Sequence, residues 1–146
     1  MATTSTPSGL AAQLRVVLAR TGRRLRREAD AGLSATLVAA LATVERHGPL
    51  TPSELAGRER VQRPTATRLI ARLEVDGLVT RTADPTDGRS SLIAISDGGR
   101  ALLHEARTRK DAYLARRLQT LNAEDRATLA RAAVLLERLL EEEDRP

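Results

Sequence analysis

The 146-residue chain contains no Cys, no Trp and no Phe, with a single Tyr, a single Met and two His. Without cysteine it has no disulfide, no zinc–thiolate site, no thiol nucleophile and no thiol redox sensor. Without aromatic platforms it offers nothing on which the bases of a single-stranded nucleic acid stack. Double-stranded DNA is not excluded by that lack, since a duplex is read with charge and hydrogen bonds. No run approaches the roughly 18 apolar residues that span a bilayer, so no membrane partner is expected. The opening stretch Met1–Gly9 is rich in Thr, Ser and Pro and lacks the charged and apolar regions of a secretion signal. It reads as a flexible leader on a cytoplasmic protein.

What is present is ordinary for a globular chain: 41% hydrophobic and 29% charged residues, at a length that fits one domain with a real core. The net charge of +5 is unevenly placed. Residues 1–30 carry six Arg against two acids, residues 51–96 seven Arg against six acids, and residues 97–146 balance at ten each. Lys110 is the sole lysine. The basic group is therefore the guanidinium fork, which suits bidentate contact with phosphate or guanine. A compositional habit of the genome would produce the same abundance of Arg without any partner.

Apolar residues at steps of three and four, Leu10, Leu14, Val17, Leu18 and Leu25, predict a first helix ending near Asp30-Ala31-Gly32. A second is predicted from an N-cap at Ser34, with Leu37, Leu41 and Val44 inward. It stops at His47-Gly48-Pro49, where Gly suits a left-handed C-terminal position and Pro cannot continue. Thr51 and Glu54 form a capping box with Pro52 at the first helical position, giving a short helix that yields at Gly57–Val61. A further helix over about Gln62–Asp76 buries Ala66, Leu69, Ile70 and Leu73 and turns a small, basic face outward. Leu78–Thr82 and Leu92–Ile95 read as two short strands around a turn-rich segment, Asp84–Arg89. Ser96 caps a long helix to about Gln119, and Asn122 caps a last one to about Glu142, ahead of an acidic tail.

The expected fold is mainly α with a small β-hairpin wing: a winged helix-turn-helix over residues 49–96, framed by scaffold and dimerisation helices at 10–48 and 97–143. The major groove admits one helix, whose N-terminal residues must be short or flexible enough to reach base edges. Arg63, Thr65, Thr67 and Arg68 meet that need, and Pro64 and Ala71 suit thymine methyls. Arg72 serves either a phosphate or the solvation of an exposed face. The hairpin brings Arg89 toward the minor groove, whose negative potential attracts a guanidinium.

The chain resembles the MarR (multiple antibiotic resistance regulator) family of transcription factors. Three stretches carry the resemblance: Leu69-Ile70-Ala71-Arg72-Leu73-Glu74-Val75-Asp76-Gly77-Leu78-Val79, the segment Asp84-Pro85-Thr86-Asp87-Gly88-Arg89, and Ser96-Asp97-Gly98-Gly99. It implies that Arg89 enters the minor groove and that Asp87, two residues earlier, braces it. Gln62 stands where the family commonly has a capping Ser, and Gln reaches the backbone less well. The resemblance further implies a homodimer built on the terminal helices, here through Leu10, Leu14, Leu135, Leu136, Leu139 and Leu140. The wide apolar surface of the last helix supports this independently. A two-fold dimer presents two recognition helices about 34–36 Å apart and matches a pseudo-palindromic duplex.

The resemblance also implies a small-molecule effector between the dimerisation helices and the DNA-binding lobe, with Leu18, Leu37, Leu41 and Tyr113 as wall residues that serve equally as core. The expected function is that of a sequence-specific repressor; the competing reading is a winged-helix interaction or architectural protein without sequence-specific regulation. Catalysis is not expected, because His47, His104 and the scattered carboxylates form no convergent site. No metal or cofactor is expected either, since no His pair has ligand spacing.

Overall fold

The computed structural model of the chain describes residues 6–141. The elements run α1 (Pro7–Ala29), α2 (Ala35–His47), α3 (Pro52–Glu59), α4 (Arg63–Val75), β1 (Val79–Ala83), β2 (Ser91–Ile95), α5 (Asp97–Gln119) and α6 (Ala123–Glu141). The expected fold class is found: a mostly helical chain with one antiparallel hairpin. The chain divides into two compact units between Lys110 and Asp111, with α5 belonging to both.

In the first unit, α1 begins earlier than the sequence predicts. Thr6 Oγ1 accepts from Gly9 N–H at 3.3 Å and Pro7 opens the helix, so the expected leader is helical from Pro7 onward, and its residues 1–5 lie outside the described residues. Pro at the first turn costs nothing, because its missing N–H would be unpaired there. At the other end Asp30 departs from helical geometry with φ 29°. Arg109 Nη1 donates to the carbonyls of Ala29 and Asp30 at 2.9 Å each and so satisfies the open end of α1 from α5.

Ser34 caps α2 as predicted, its Oγ accepting from Leu37 N–H at 3.3 Å. The stop at Gly48 works differently from the expectation. Gly48 is extended (φ −72°), not left-handed, and its N–H returns to Val44 O at 2.8 Å. A Cβ there would sit 2.5 Å from that carbonyl, so the requirement is for space and not for a positive φ. The Thr51–Glu54 capping box forms in full. α3 continues through Gly57 to Glu59 and ends when Arg60 turns left-handed at φ 53°, within the expected break at Gly57–Val61. Thr43 Oγ1 donates to Glu59 and fastens the end of α3 to α2.

β1 and β2 pair in the register Val79↔Ile95 to Ala83↔Ser91, and Leu50 adds a single bridge to Ile93. β1 starts one residue later than expected, and Leu78 ahead of it is buried in the core. The core gathers Leu41, Val44, Leu55, Ile70, Leu73 and Ile93, all essentially without exposed surface. Leu37 and Leu69, expected inside, are only partly buried against this cluster. Burying a Leu or Ile side chain is worth about 1.5–3 kcal/mol. α2, α3, α4 and the sheet are thus one packed body that orients the outer faces of α4 and the wing.

The turn from wing to α5 is closely built. Ser96 Oγ accepts from Gly99 N–H at 3.1 Å and donates to Gly77 O at 2.6 Å. Gly99 lies so close to the chain that a Cβ would stand 2.2 Å from Leu78 O. Arg107 donates both Nη groups to the Glu45 carboxylate, joining α5 to α2.

In the second unit Asn122 caps α6 as predicted, its Oδ1 accepting from Asp125 N–H at 2.8 Å, and Arg126 Nη1 donates to Leu121 O at 2.6 Å. No residue of α6 is buried. The expected acidic tail beyond Glu141 lies outside the described residues.

Candidate nucleic-acid interface

α4 lies with Ala66, Ile70 and Leu73 in the core, which leaves Arg63, Pro64, Thr67, Arg68, Ala71 and Arg72 exposed and Thr65 half-buried. Of the residues expected to face a groove, all but Thr65 are thus exposed. Gln62 occupies the N-cap but makes no side-chain cap bond, as its length implies, while its carbonyl receives the N–H groups of Thr65 and Ala66. Thr67 Oγ1 donates to Arg63 O at 3.0 Å, and Arg68 Nη2 reaches Thr65 Oγ1 at 3.4 Å. Arg63 and Arg68 make no ion pair among the described residues. Arg72, by contrast, pairs with Asp76 through Nε at 3.0 Å. Its side chain stays 64% exposed, and a surface pair of this kind is worth at most about 1 kcal/mol, so the guanidinium remains exchangeable.

The wing tip is shaped by two aspartates. Asp84 Oδ1 accepts from both the N–H and the hydroxyl of Thr86, at 2.9 and 2.7 Å, and these bonds hold its carboxyl below the usual aspartate range. Asp87 Oδ1 accepts from the backbone N–H of Arg89 at 3.0 Å, and Asp87 O accepts from Ser90 N–H. The bracing expected between Asp87 and Arg89 thus runs to the main chain of Arg89 and not to its guanidinium. Arg89 itself is exposed and makes no ion pair among the described residues.

The sequence reading missed the joint between wing and recognition helix. Arg81 on β1 donates Nε and Nη2 to Glu74 Oε2 of α4 at 3.3 Å, and Nη1 to Ser91 Oγ at 2.9 Å. One guanidinium therefore ties both strands to the helix. No local motif marks it, because the partners lie seven and ten residues away. Asp84 was legible only as a turn former, although Asp-x-Thr spacing permits the side-chain loop it makes.

The expected dimer residues are accessible in their own units. Leu10 is exposed and Leu14 half-buried on α1; on α6, Leu135, Leu139 and Leu140 are exposed and Leu136 is half-buried. Of the expected effector wall, three residues lie in the first unit and one in the second. Leu41 is wholly inside the core, Leu37 packs against it, Leu18 is 49% exposed, and Tyr113 belongs to the second unit. Core packing claims the two α2 leucines because α2 is the central helix of its unit. An open cavity of about 440 Å³ lies among Arg26, Ala29, Leu33, Val38, Ala106 and Lys110.

A capped helix, a tight turn, a second helix with its apolar side buried and its small, basic side bare, and a braced hairpin define a winged helix-turn-helix protein. Residues 33–91 match the model of the MarR family. An HTH-type transcriptional regulator of Mycobacterium bovis is 40% identical over 134 residues, 91% of this chain and 94% of that protein. The HTH-type transcriptional repressor MdtR of Bacillus subtilis is 28% identical over 114 residues, covering 78% and 74% of the two chains. Among solved structures, a transcriptional regulator protein of Pseudomonas aeruginosa superposes with a TM-score of 0.81 at 36% identity, covering 90% of this chain and 93% of that one. The chain belongs to the MarR family of helix-turn-helix transcriptional regulators.

Proposed function

We propose that the protein is a homodimeric repressor that binds a pseudo-palindromic operator. The observation that carries this reading is the outer face of α4, where Arg63 and Arg68 stand exposed and free of acidic partners beside Thr65 and Thr67. Arg63 and Arg68 read guanine edges, Thr65 and Thr67 make shorter contacts, and Pro64 meets thymine methyls. Arg72 exchanges Asp76 for a phosphate, and the Gln62 side chain, free of a capping duty, turns to the backbone of the duplex. Arg89 enters the minor groove from a wing whose main chain Asp87 holds in shape. Two copies joined through Leu10 and Leu14 of α1 and Leu135, Leu136, Leu139 and Leu140 of α6 present two such faces one helical turn apart.

Release follows when a small molecule enters the cavity beside Arg26 and Lys110 and favours a different separation of the two faces. A ligand with equal affinity for both separations shifts nothing. Selection of bound duplexes from a random pool tests the repressor reading directly. It predicts a recovered inverted repeat bound at least about 10³-fold more tightly than random DNA. Equal binding of all duplexes at moderate salt overturns it.

A further inference from the structure

The helix that precedes the reading lobe carries more net charge than the lobe itself. Arg20, Arg23, Arg24 and Arg27 follow the spacing i, i+3, i+4, i+7 on α1, which places them within an arc of about 100° along about 10 Å of one helix face. They line a single shallow groove of about 260 Å³. Arg24 pairs with Glu28 at 2.8 Å. Arg20, Arg23 and Arg27 make no ion pair among the described residues. Like charges three and four residues apart weaken a helix, and they lie within a Debye length of about 8–10 Å. The face is therefore held against its own repulsion and gains most from a polyanion.

The winged lobe, residues 51–96, carries seven Arg against six acids, and two of those arginines, Arg72 and Arg81, are engaged by Asp76 and Glu74. It brings little net charge to DNA. Non-specific affinity comes from the phosphates that cations neutralise. Residues 1–30 hold six Arg against two acids, so the largest local excess of positive charge in the chain sits here. We propose that the α1 arginine face is a second, sequence-independent contact surface for duplex DNA, binding phosphates through Arg20, Arg23 and Arg27. The guanidinium fork suits this role, because it meets phosphate oxygens in pairs. The proposal rests on the DNA-binding reading above and adds to it a source of affinity that carries no base preference.

The test compares the unaltered protein with the triple variant Arg20→Gln, Arg23→Gln, Arg27→Gln, which leaves the Arg24–Glu28 pair in place. A second triple variant with Lys at the same positions keeps the charge. Binding is titrated at several salt concentrations on a selected duplex and on a random duplex of equal length. Each neutralised phosphate contributes about 0.9 to the slope of log K against log salt. The Gln variant is expected to lose about 2–5 from that slope, to lose affinity equally on both duplexes and to keep or slightly raise its melting temperature. The Lys variant is expected to retain the wild-type slope. An unchanged slope in the Gln variant overturns the proposal. So does an unchanged slope accompanied by dissociation into monomers in sedimentation, which assigns the face to contact between copies. Wild-type protein that binds every duplex alike removes the repressor reading alone, since the slope on random DNA still decides whether α1 touches phosphate.

Discussion

At the scale of single residues, the exposed face of α4 separates into cations without an acidic partner among the described residues, Arg63 and Arg68, and one that has such a partner, Arg72. Arg68 has no acidic partner and only a long bond to Thr65, so Arg68→Ala is expected to cost operator binding about 1–3 kcal/mol and to relax preference at one base pair. Titration against a panel of single-base operator variants checks it; equal loss on every duplex makes Arg68 a phosphate contact instead. Arg89→Ala is expected to weaken binding with an unchanged melting curve, because its guanidinium carries no internal bond that the fold requires, while its backbone N–H still reaches Asp87. Gly99 makes the opposite prediction. A Cβ placed 2.2 Å from Leu78 O and 2.8 Å from Ile95 Cγ1 forces apart α5 and the sheet, so Gly99→Ala is expected to lower stability by about 1–3 kcal/mol in thermal or denaturant unfolding. DNA binding should then fail only in step with folding.

Between elements, a few charged side chains set how the pieces of the first unit meet. Arg107 and Glu45 join α5 to α2, and the bond from Arg107 holds the Glu45 carboxyl below its ordinary value. A carboxyl depressed on folding contributes stability above the unfolded-state pKa and loses it as pH falls through the folded value. The contribution is therefore intact at neutral pH and fades from about pH 4.5 downward. With the Arg107 side chain half exposed it amounts to less than about 1 kcal/mol. Glu45→Gln is expected to lower the melting temperature slightly at pH 7 and to flatten its decline below pH 4.5, as unfolding at a series of pH values will read.

These joints mark where sequence reading stops. Caps at Ser34, Thr51 and Asn122 were legible because the cap oxygen and the N–H that donates to it lie three residues apart, and the buried side of α4 was legible from its period. The ties Arg81–Glu74, Arg107–Glu45 and Arg109 to the end of α1 were not, since each joins groups brought near only by folding. Leu41 shows the same limit from the other side. Its place on an apolar stripe fits a ligand wall and a core equally, and only the packing of α2 against α3 and α4 decides between them.

For the whole molecule, the decisive feature is α6, a nineteen-residue helix with no buried residue and with Leu135, Leu139 and Leu140 bare to solvent. Leu139 is 60% exposed, whereas Leu136 is half-buried, so Leu139→Asp is the cleaner probe of pairing. It is expected to yield monomers in sedimentation with the helical content of the first unit intact; a persistent dimer moves the interface elsewhere. Association of this kind ties folding to protein concentration, and the apparent stability rises with the amount present. If this helix finds its interior in a second copy, abundance becomes a controlling variable: scarce copies would stay open to proteolysis while plentiful ones protect one another, and occupancy of a DNA site would switch on over a narrow range of expression.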